Sequence, residues 1–183
     1  MTTPEHGFAG SERGGPRRRT VLALGSNLGD RLGYLQGGVD ALFDAPGLSY
    51  DALSPVYETV PVGGPPQPDY LNAVLIAETR LPAAALLRSC QAAEVAFQRT
   101  RGEVWGPRTL DVDVIVYGDV VSDDPDLTLP HPRARERAFV LAPWLDADPD
   151  AEIPGQGRVA DLLAAIGRPG VRRLDDVTLR PPT

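Results

Sequence analysis

Residues Thr109–Tyr117 read TLDVDVIVY, and this stretch decides the fold. Leu, Val, Ile and Tyr make it the clearest strand in the chain. Side chains two residues apart on a strand point to the same face, roughly 6.5 to 7 Å apart. Asp111 and Asp113 therefore share a face. Two carboxylates on an otherwise apolar strand repel each other and lose hydration, so they need compensation. A hard divalent cation supplies it: Mg²⁺ takes oxygen ligands and commonly uses one or two carboxylates plus substrate phosphates. Two such ions about 3.5 to 4 Å apart could be bridged by this pair. A lone D-x-D more often lies on the solvent face of a half-buried strand, so its neighbours carry the weight.

Immediately before the strand stand Trp105-Gly106-Pro107-Arg108: an aromatic, a turn and a cation. Arginine stays charged and binds phosphate through two parallel hydrogen bonds. Arg99, Arg101 and Arg108 precede the aspartates, and His131, Arg133, Arg135 and Arg137 follow them. If both segments fold over the strand, they surround metals and carboxylates with guanidinium groups. Phosphoryl-type transfer needs mainly such positioning and charge neutralisation. For Arg133 and Arg135, inside RARER, a solvated charge run is the plainer reading.

Outward from this strand the periodicity changes. Thr20–Leu24 reads as a buried first strand. From Leu28 the apolar positions Leu28, Leu32, Leu35, Val39, Leu42 and Phe43 follow a helical face, stopped by Ala45-Pro46-Gly47. Leu48–Thr59 reads as one strand with an edge-like proline. Residues 60–68 form a long Pro/Gly loop of the kind that carries function. Tyr70–Thr79 reads as a strand, and Pro82 opens a helix running through Leu86, Leu87, Cys90, Ala93, Glu94 and Phe97. A tight turn at Gly118-Asp119 leads to a short strand at Val120-Val121. Further on come helices near Ala138–Asp146 and Val159–Ile166, and an edge strand at Val171–Leu174. The order β-α-β-β-α-β predicts an α+β, ferredoxin-like core with a mostly antiparallel sheet. The expected organisation is a disordered leader over 1–19, one domain over 20–175 and a tail over 176–183.

The chain has 183 residues, 42% of them apolar, enough for one packed domain. No run of about 18 apolar residues exists, so no membrane span is expected. No signal peptide is read at the N-terminus. Cys90 is the only cysteine, which fits a reducing, cytoplasmic compartment. The net charge of −7 argues against nucleic-acid binding, although all 18 basic residues are arginines. No Walker-type phosphate loop, Ser-His-Asp arrangement or His-rich metal set is present; the turn Gly25-Ser26-Asn27 lacks the required lysine.

Around the Pro/Gly loop cluster Tyr57, Thr59, Gln67, Tyr70 and Asn72. Asn72 offers a donor and acceptors. Tyr70 and Phe139 offer faces on which a flat heterocycle stacks. Core packing is the plainer fate of Phe139, and a cross-strand hydrogen bond that of Asn72.

Four stretches together resemble the 6-hydroxymethyl-7,8-dihydropterin pyrophosphokinase family: LALGSNLGDR (22–31), SPVYETVPVGGPPQPDYLNAV (54–74), WGPRTLDVDVIVYGD (105–119) and LTLPHPRARERAFVL (127–141). WGPRTLD-x-D is the most specific of them. The resemblance implies a three-layer α/β/α domain, usually monomeric, that uses ATP and Mg²⁺ to pyrophosphorylate a pterin in folate biosynthesis. Asp111 and Asp113 would hold two magnesium ions. Arg99, Arg108, His131 and Arg137 would contact phosphates, with Arg101 also on ATP. Gln91, Glu94, Val114 and Thr128 match positions near adenine, ribose or their support. Tyr70 and Phe139 would sandwich the pterin, with Thr59, Asn72 and the backbone at Val60 and Val62 reading its edge, and Trp105 on a loop that closes over it. The chain departs from the pattern at Asp126, where arginine is common. A two-metal nucleotidyltransferase and a non-enzymatic ferredoxin-like binding module are the competing readings.

Overall fold

A computed structural model describes residues 15–97 and 109–183. Its elements are β1 (Arg18–Ser26), α1 (Arg31–Asp44), β2 (Leu48–Leu53), β3 (Tyr57–Thr59), β4 (Tyr70–Thr79), α2 (Ala83–Ala96), β5 (Asp111–Tyr117), a 3₁₀ turn (Ala134–Glu136), α3 (Ala138–Ala147), the short hairpin β6 (Glu152–Ile153) and β7 (Gly157–Arg158), α4 (Val159–Ile166) and β8 (Val171–Arg173). The main sheet runs β5-β1-β4-β3-β8, with β2 also on β4, and every pairing is antiparallel. The β1-α1-β2 and β4-α2-β5 units interleave as a ferredoxin-like core requires.

The sheet is apolar on both faces, so each is covered by helices. Leu22, Leu24, Leu75, Val112 and Val114 pack with Leu35, Val39 and Leu42 of α1 and Leu86, Cys90 and Ala93 of α2. Val21, Tyr57, Val74, Ile76 and Ile115 pack with Val140, Leu141 and Trp144 of α3 and Val159 and Leu163 of α4. These are the expected three layers. Asp30 caps α1 by accepting the Gly33 N–H at 3.0 Å.

Several local expectations shift. The strand expected over 48–59 is two strands, interrupted at Ser54-Pro55-Val56, where the Ser54 hydroxyl accepts the Val74 N–H at 2.8 Å. Val120-Val121 forms no strand; one bridge, Ser122 to Leu129, follows instead. A bulge at Ile115 shifts the β1–β5 register between Val21 and Leu22. β1 begins at Arg18, inside the expected leader, because Arg17, Arg18 and Arg19 pair with Glu78, Asp119 and both Asp51 and Asp148. The expected tail docks: Leu179 is buried in the α1 layer, and the Arg180 N–H donates to Gln36 at 2.7 Å. No helix among the described residues is long and apolar enough to cross a membrane.

Candidate active site

Gly25, near the end of β1, pairs with Asn72 of β4 on one side and Asp111 of β5 on the other. Residues paired across neighbouring strands share a face. A Cβ at Gly25 would lie 3.0 Å from Asn72 Oδ1 and 3.6 Å from the Tyr70 ring, so glycine leaves room for the side chains that overhang it. Two residues along, Ala23 pairs with Asp113 and with Val74. On the far side Asn72 pairs with Tyr57, and Thr59 with Tyr70. Asn72 Nδ2 donates to Thr59 Oγ1 at 2.7 Å, with both residues buried. Asp111, Asp113, Tyr70, Asn72, Tyr57 and Thr59 thus lie on one face. It is the α3 face, since Tyr57 and Val74 pack with α3, whereas the intervening Val112 and Val114 belong to the α1–α2 side.

The segment after β5 is drawn back over this face. The His131 N–H donates to the Ile115 carbonyl at 2.8 Å, and the 3₁₀ turn delivers Arg137 at the start of α3. Arg137 Nη1 stands 3.7 Å and His131 Nε2 3.9 Å from Asp113 Oδ2. The Arg133 N–H donates to His131 Nδ1 at 3.2 Å, which assigns the imidazole proton to Nε2. Burial, and then the Arg137 charge, lower the His131 pKa to about 4 against the opposing pull of Asp111. His131 is therefore neutral at pH 7, and its approach to Asp113 is that of a polar donor, not an ion pair. Burial also lowers the Arg137 pKa while Asp113 raises it; a guanidinium stays charged under such a shift. The Arg137 guanidinium lies over the Phe139 ring, 5.4 Å from its centroid.

The Pro/Gly loop is tied to both flanks. Asn27, in the turn after β1, is buried and donates to Gln67 at 2.9 Å and to the Pro68 carbonyl at 3.1 Å. Arg31 pairs with Glu58 at 3.1 Å and donates to the Asp69 carbonyl at 2.9 Å. The Val60 N–H donates to the Gly170 carbonyl at 2.9 Å. The Val60 and Val62 side chains are exposed.

The residues expected around the nucleotide do not all gather on the aspartate face. Gln91 is exposed on α2. Glu94 is buried, and its Oε1 accepts the Val112 N–H at 2.9 Å, so its carboxylate ties α2 to β5. Val114 is buried towards α2. Thr128 donates to the Asp124 carbonyl at 3.1 Å, in the segment running past the β5 edge. Arg99, Arg101, Trp105 and Arg108 lie outside the described residues. Sequence reading missed Arg31, which no periodicity marks, and Gly25, whose part emerges only from strand register.

Asp111 and Asp113 fit magnesium. Among the described residues no group of three or more His, Cys, Asp or Glu side chains gathers as a metal cluster. A zinc site needs three or four such ligands, whereas magnesium keeps waters and shares phosphate oxygens beside one or two carboxylates.

The sequence model of the 7,8-dihydro-6-hydroxymethylpterin-pyrophosphokinase family matches residues 21–149. The chain is 47% identical over 179 residues to the 2-amino-4-hydroxy-6-hydroxymethyldihydropteridine pyrophosphokinase of Mycobacterium leprae, covering 88% of this chain and 91% of that one. It is 39% identical over 157 residues to the Pseudomonas aeruginosa protein of the same name, covering 86% and 97%. Among solved structures, an HPPK-DHPS in complex with substrates superposes with a TM-score of 0.68 at 12% identity, over 87% of this chain and 47% of that chain. A Plasmodium falciparum HPPK-DHPS with pterin and p-hydroxybenzoate gives 0.64 at 13% identity, over 88% and 46%. These two share the fold, and this chain spans about half their length. With the match covering most of its length and most of its curated relatives, the chain belongs to the 7,8-dihydro-6-hydroxymethylpterin-pyrophosphokinase family.

Proposed function

We propose that this chain transfers the β,γ-diphosphate of ATP to the hydroxymethyl group of 6-hydroxymethyl-7,8-dihydropterin, releasing AMP, as a step of folate biosynthesis. The observation that carries the reading is the shared face. Asp111 and Asp113 lie across Gly25 from Asn72 and Thr59, with Arg137 and His131 over Asp113. An anionic tail and a flat polar ring fit opposite ends of that face. Net acidity and a single buried cysteine support a cytoplasmic enzyme without a nucleic-acid partner.

In the reaction the hydroxymethyl oxygen bonds to the β-phosphorus. The bond from that phosphorus to the α,β-bridging oxygen breaks, AMP keeps the oxygen, and the hydroxyl proton leaves to solvent. Bound at Asp111 and Asp113, two magnesium ions would neutralise the triphosphate and acidify the alcohol. Arg137 holds positive charge beside Asp113, where a phosphate oxygen gains most from it. Neutral His131 presents its Nε2–H to the same place and adds no charge. Asn72 and Thr59 orient the heterocycle by hydrogen bonds, while Tyr70 and Phe139 supply ring faces. Arg99, Arg101 and Arg108 complete the phosphate contacts, and Trp105 closes over the pterin; these assignments rest on the family motif.

Incubation with ATP, Mg²⁺ and the pterin, followed by chromatography, tests the reading. AMP and pterin diphosphate should form in equal amounts and vanish with a chelator. Pyrophosphate release would point to nucleotidyl transfer, and ADP release to simple kinase chemistry; either overturns the proposal.

A further inference from the structure

Tyr57 is almost fully buried, yet its hydroxyl is used: it donates to Asp146 Oδ2 of α3 at 2.5 Å. The same carboxylate oxygen accepts Arg173 Nη1 of β8 at 3.2 Å. Arg168, in the turn before β8, donates to the Tyr57 hydroxyl at 3.4 Å. Tyr57 and Arg173 are cross-strand partners, so Asp146 is gripped from two neighbouring strands at one level of the sheet. Burial, and then the Asp146 carboxylate, raise the Tyr57 pKa, which keeps the hydroxyl a donor.

The grip lies behind the site. Tyr57 is the cross-strand partner of Asn72 and stands two residues from Thr59. On α3, Asp146 follows Phe139 by seven residues, which at 100° per residue places them within about 20° on one stripe. Little within α3 fixes its own setting. Its first turn has no side-chain cap. Pro143 lacks the N–H that would bond the Phe139 carbonyl. The rotation of α3 over the sheet must come from tertiary contacts, and Tyr57–Asp146–Arg173 is a polar one aligned with Phe139.

We propose that Asp146, held by Tyr57 and Arg173, is a positioning residue: it sets the rotation of α3 and so the placement of Phe139 on the pterin side of the site. The proposal rests on the pyrophosphokinase reading. It predicts an asymmetric kinetic effect, because the far end of α3 governs Phe139, on the pterin side, more than the adenine end of the site.

Tyr57→Phe keeps the ring and removes only the hydroxyl. Its KM for the pterin should rise on the order of tenfold, equivalent to about 1.4 kcal/mol, while its KM for ATP stays within about twofold. Asp146→Asn keeps an acceptor for Tyr57 and should recover most of the pterin affinity that Asp146→Ala loses. Calorimetric pterin binding in the presence of a non-hydrolysable ATP analogue supplies the affinity independently of turnover. Equal rises in both KM values, following the fall in Tm, would reduce the contact to general stability and overturn the inference. So would unchanged pterin affinity in Tyr57→Phe and Asp146→Ala. A wild-type protein that makes no AMP would instead refute the underlying activity, a result separable from either.

Discussion

At the scale of single residues, Asp113 carries the heaviest chemical load. Its carboxylate shares a face with Asp111 and meets Arg137 at 3.7 Å. Asp113→Ala removes half of the proposed metal grip and should lower AMP release by on the order of 10²- to 10³-fold, the scale seen when one group stabilising transition-state charge is lost. The fold should survive, since a partly exposed like-charged neighbour of Asp111 disappears. Circular dichroism and Tm measured beside the activity check both halves, and near-normal AMP release would refute the metal assignment. Cys90 illustrates the opposite kind of residue. Burial foremost, then Glu94 and Asp113, push its thiol pKa up to about 12. The thiolate is the reactive form, so native protein at pH 8 should resist iodoacetamide and react only once unfolded. Mass spectrometry of the alkylated chain reads this directly.

At the scale of elements, the site depends on how β5 and β3 are held. β5 carries both aspartates and, among the described residues, has β1 as its one ladder partner, so the Glu94 carboxylate on the Val112 N–H is a substantial restraint from α2. Glu94→Ala leaves that N–H without its acceptor and should cost about 1–3 kcal/mol, visible in urea unfolding, whereas Glu94→Gln retains an acceptor and most of the stability. On the other flank, Glu58 of β3 accepts from Arg172 of β8 at 2.8 Å and pairs with Arg31 of α1. Those arginines, Arg172 first, hold the Glu58 pKa below its ordinary 4.5 against a smaller opposing effect of burial. A depressed carboxylate pKa contributes stability that is fully present above about pH 4.5 and is lost as pH falls through the folded value. The Tm of Glu58→Gln should therefore sit below wild type at pH 7 and converge on it as the pH is taken below the folded pKa of Glu58. A constant gap across that range would count against the ion pairs.

At the scale of the whole molecule, the sequence disclosed the layers better than the joins. Two periodicities, 3.6 over 28–43 and 82–97 and 2 over 109–117, suffice to place α1, α2 and β5, because those segments bury one stripe or alternate faces. The break at Ser54–Val56 and the bulge at Ile115 escaped because both are set by the partner strand: Val74 engages Ser54, and β1 sets the β5 register. The site divides the same way. Asp111, Asp113 and Arg137 were legible as charges in unusual company, whereas Gly25 has no side chain to announce it, and the Tyr57–Asp146 contact joins residues 89 positions apart. The docking of the tail was not legible, since a polar, proline-rich composition hides one anchoring leucine. Leu179 packs beneath α1, and Arg180 exchanges backbone hydrogen bonds with the Gln36 side chain at 2.7 and 3.1 Å. Burying a leucine contributes about 1.5–3 kcal/mol, offset in part by the entropy of ordering the segment. Deleting residues 176–183 should thus lower stability by about 1–2 kcal/mol, or Tm by roughly 2–8 °C in a chain of this size. The docking lies on the α1–α2 side, across the sheet from Asp113, so the KM values for ATP and pterin should hold within about twofold at 25 °C. A truncated protein as stable as the full chain would show the tail to be ornamental, and one that stays folded but loses pterin affinity would show the two faces of the sheet to be coupled.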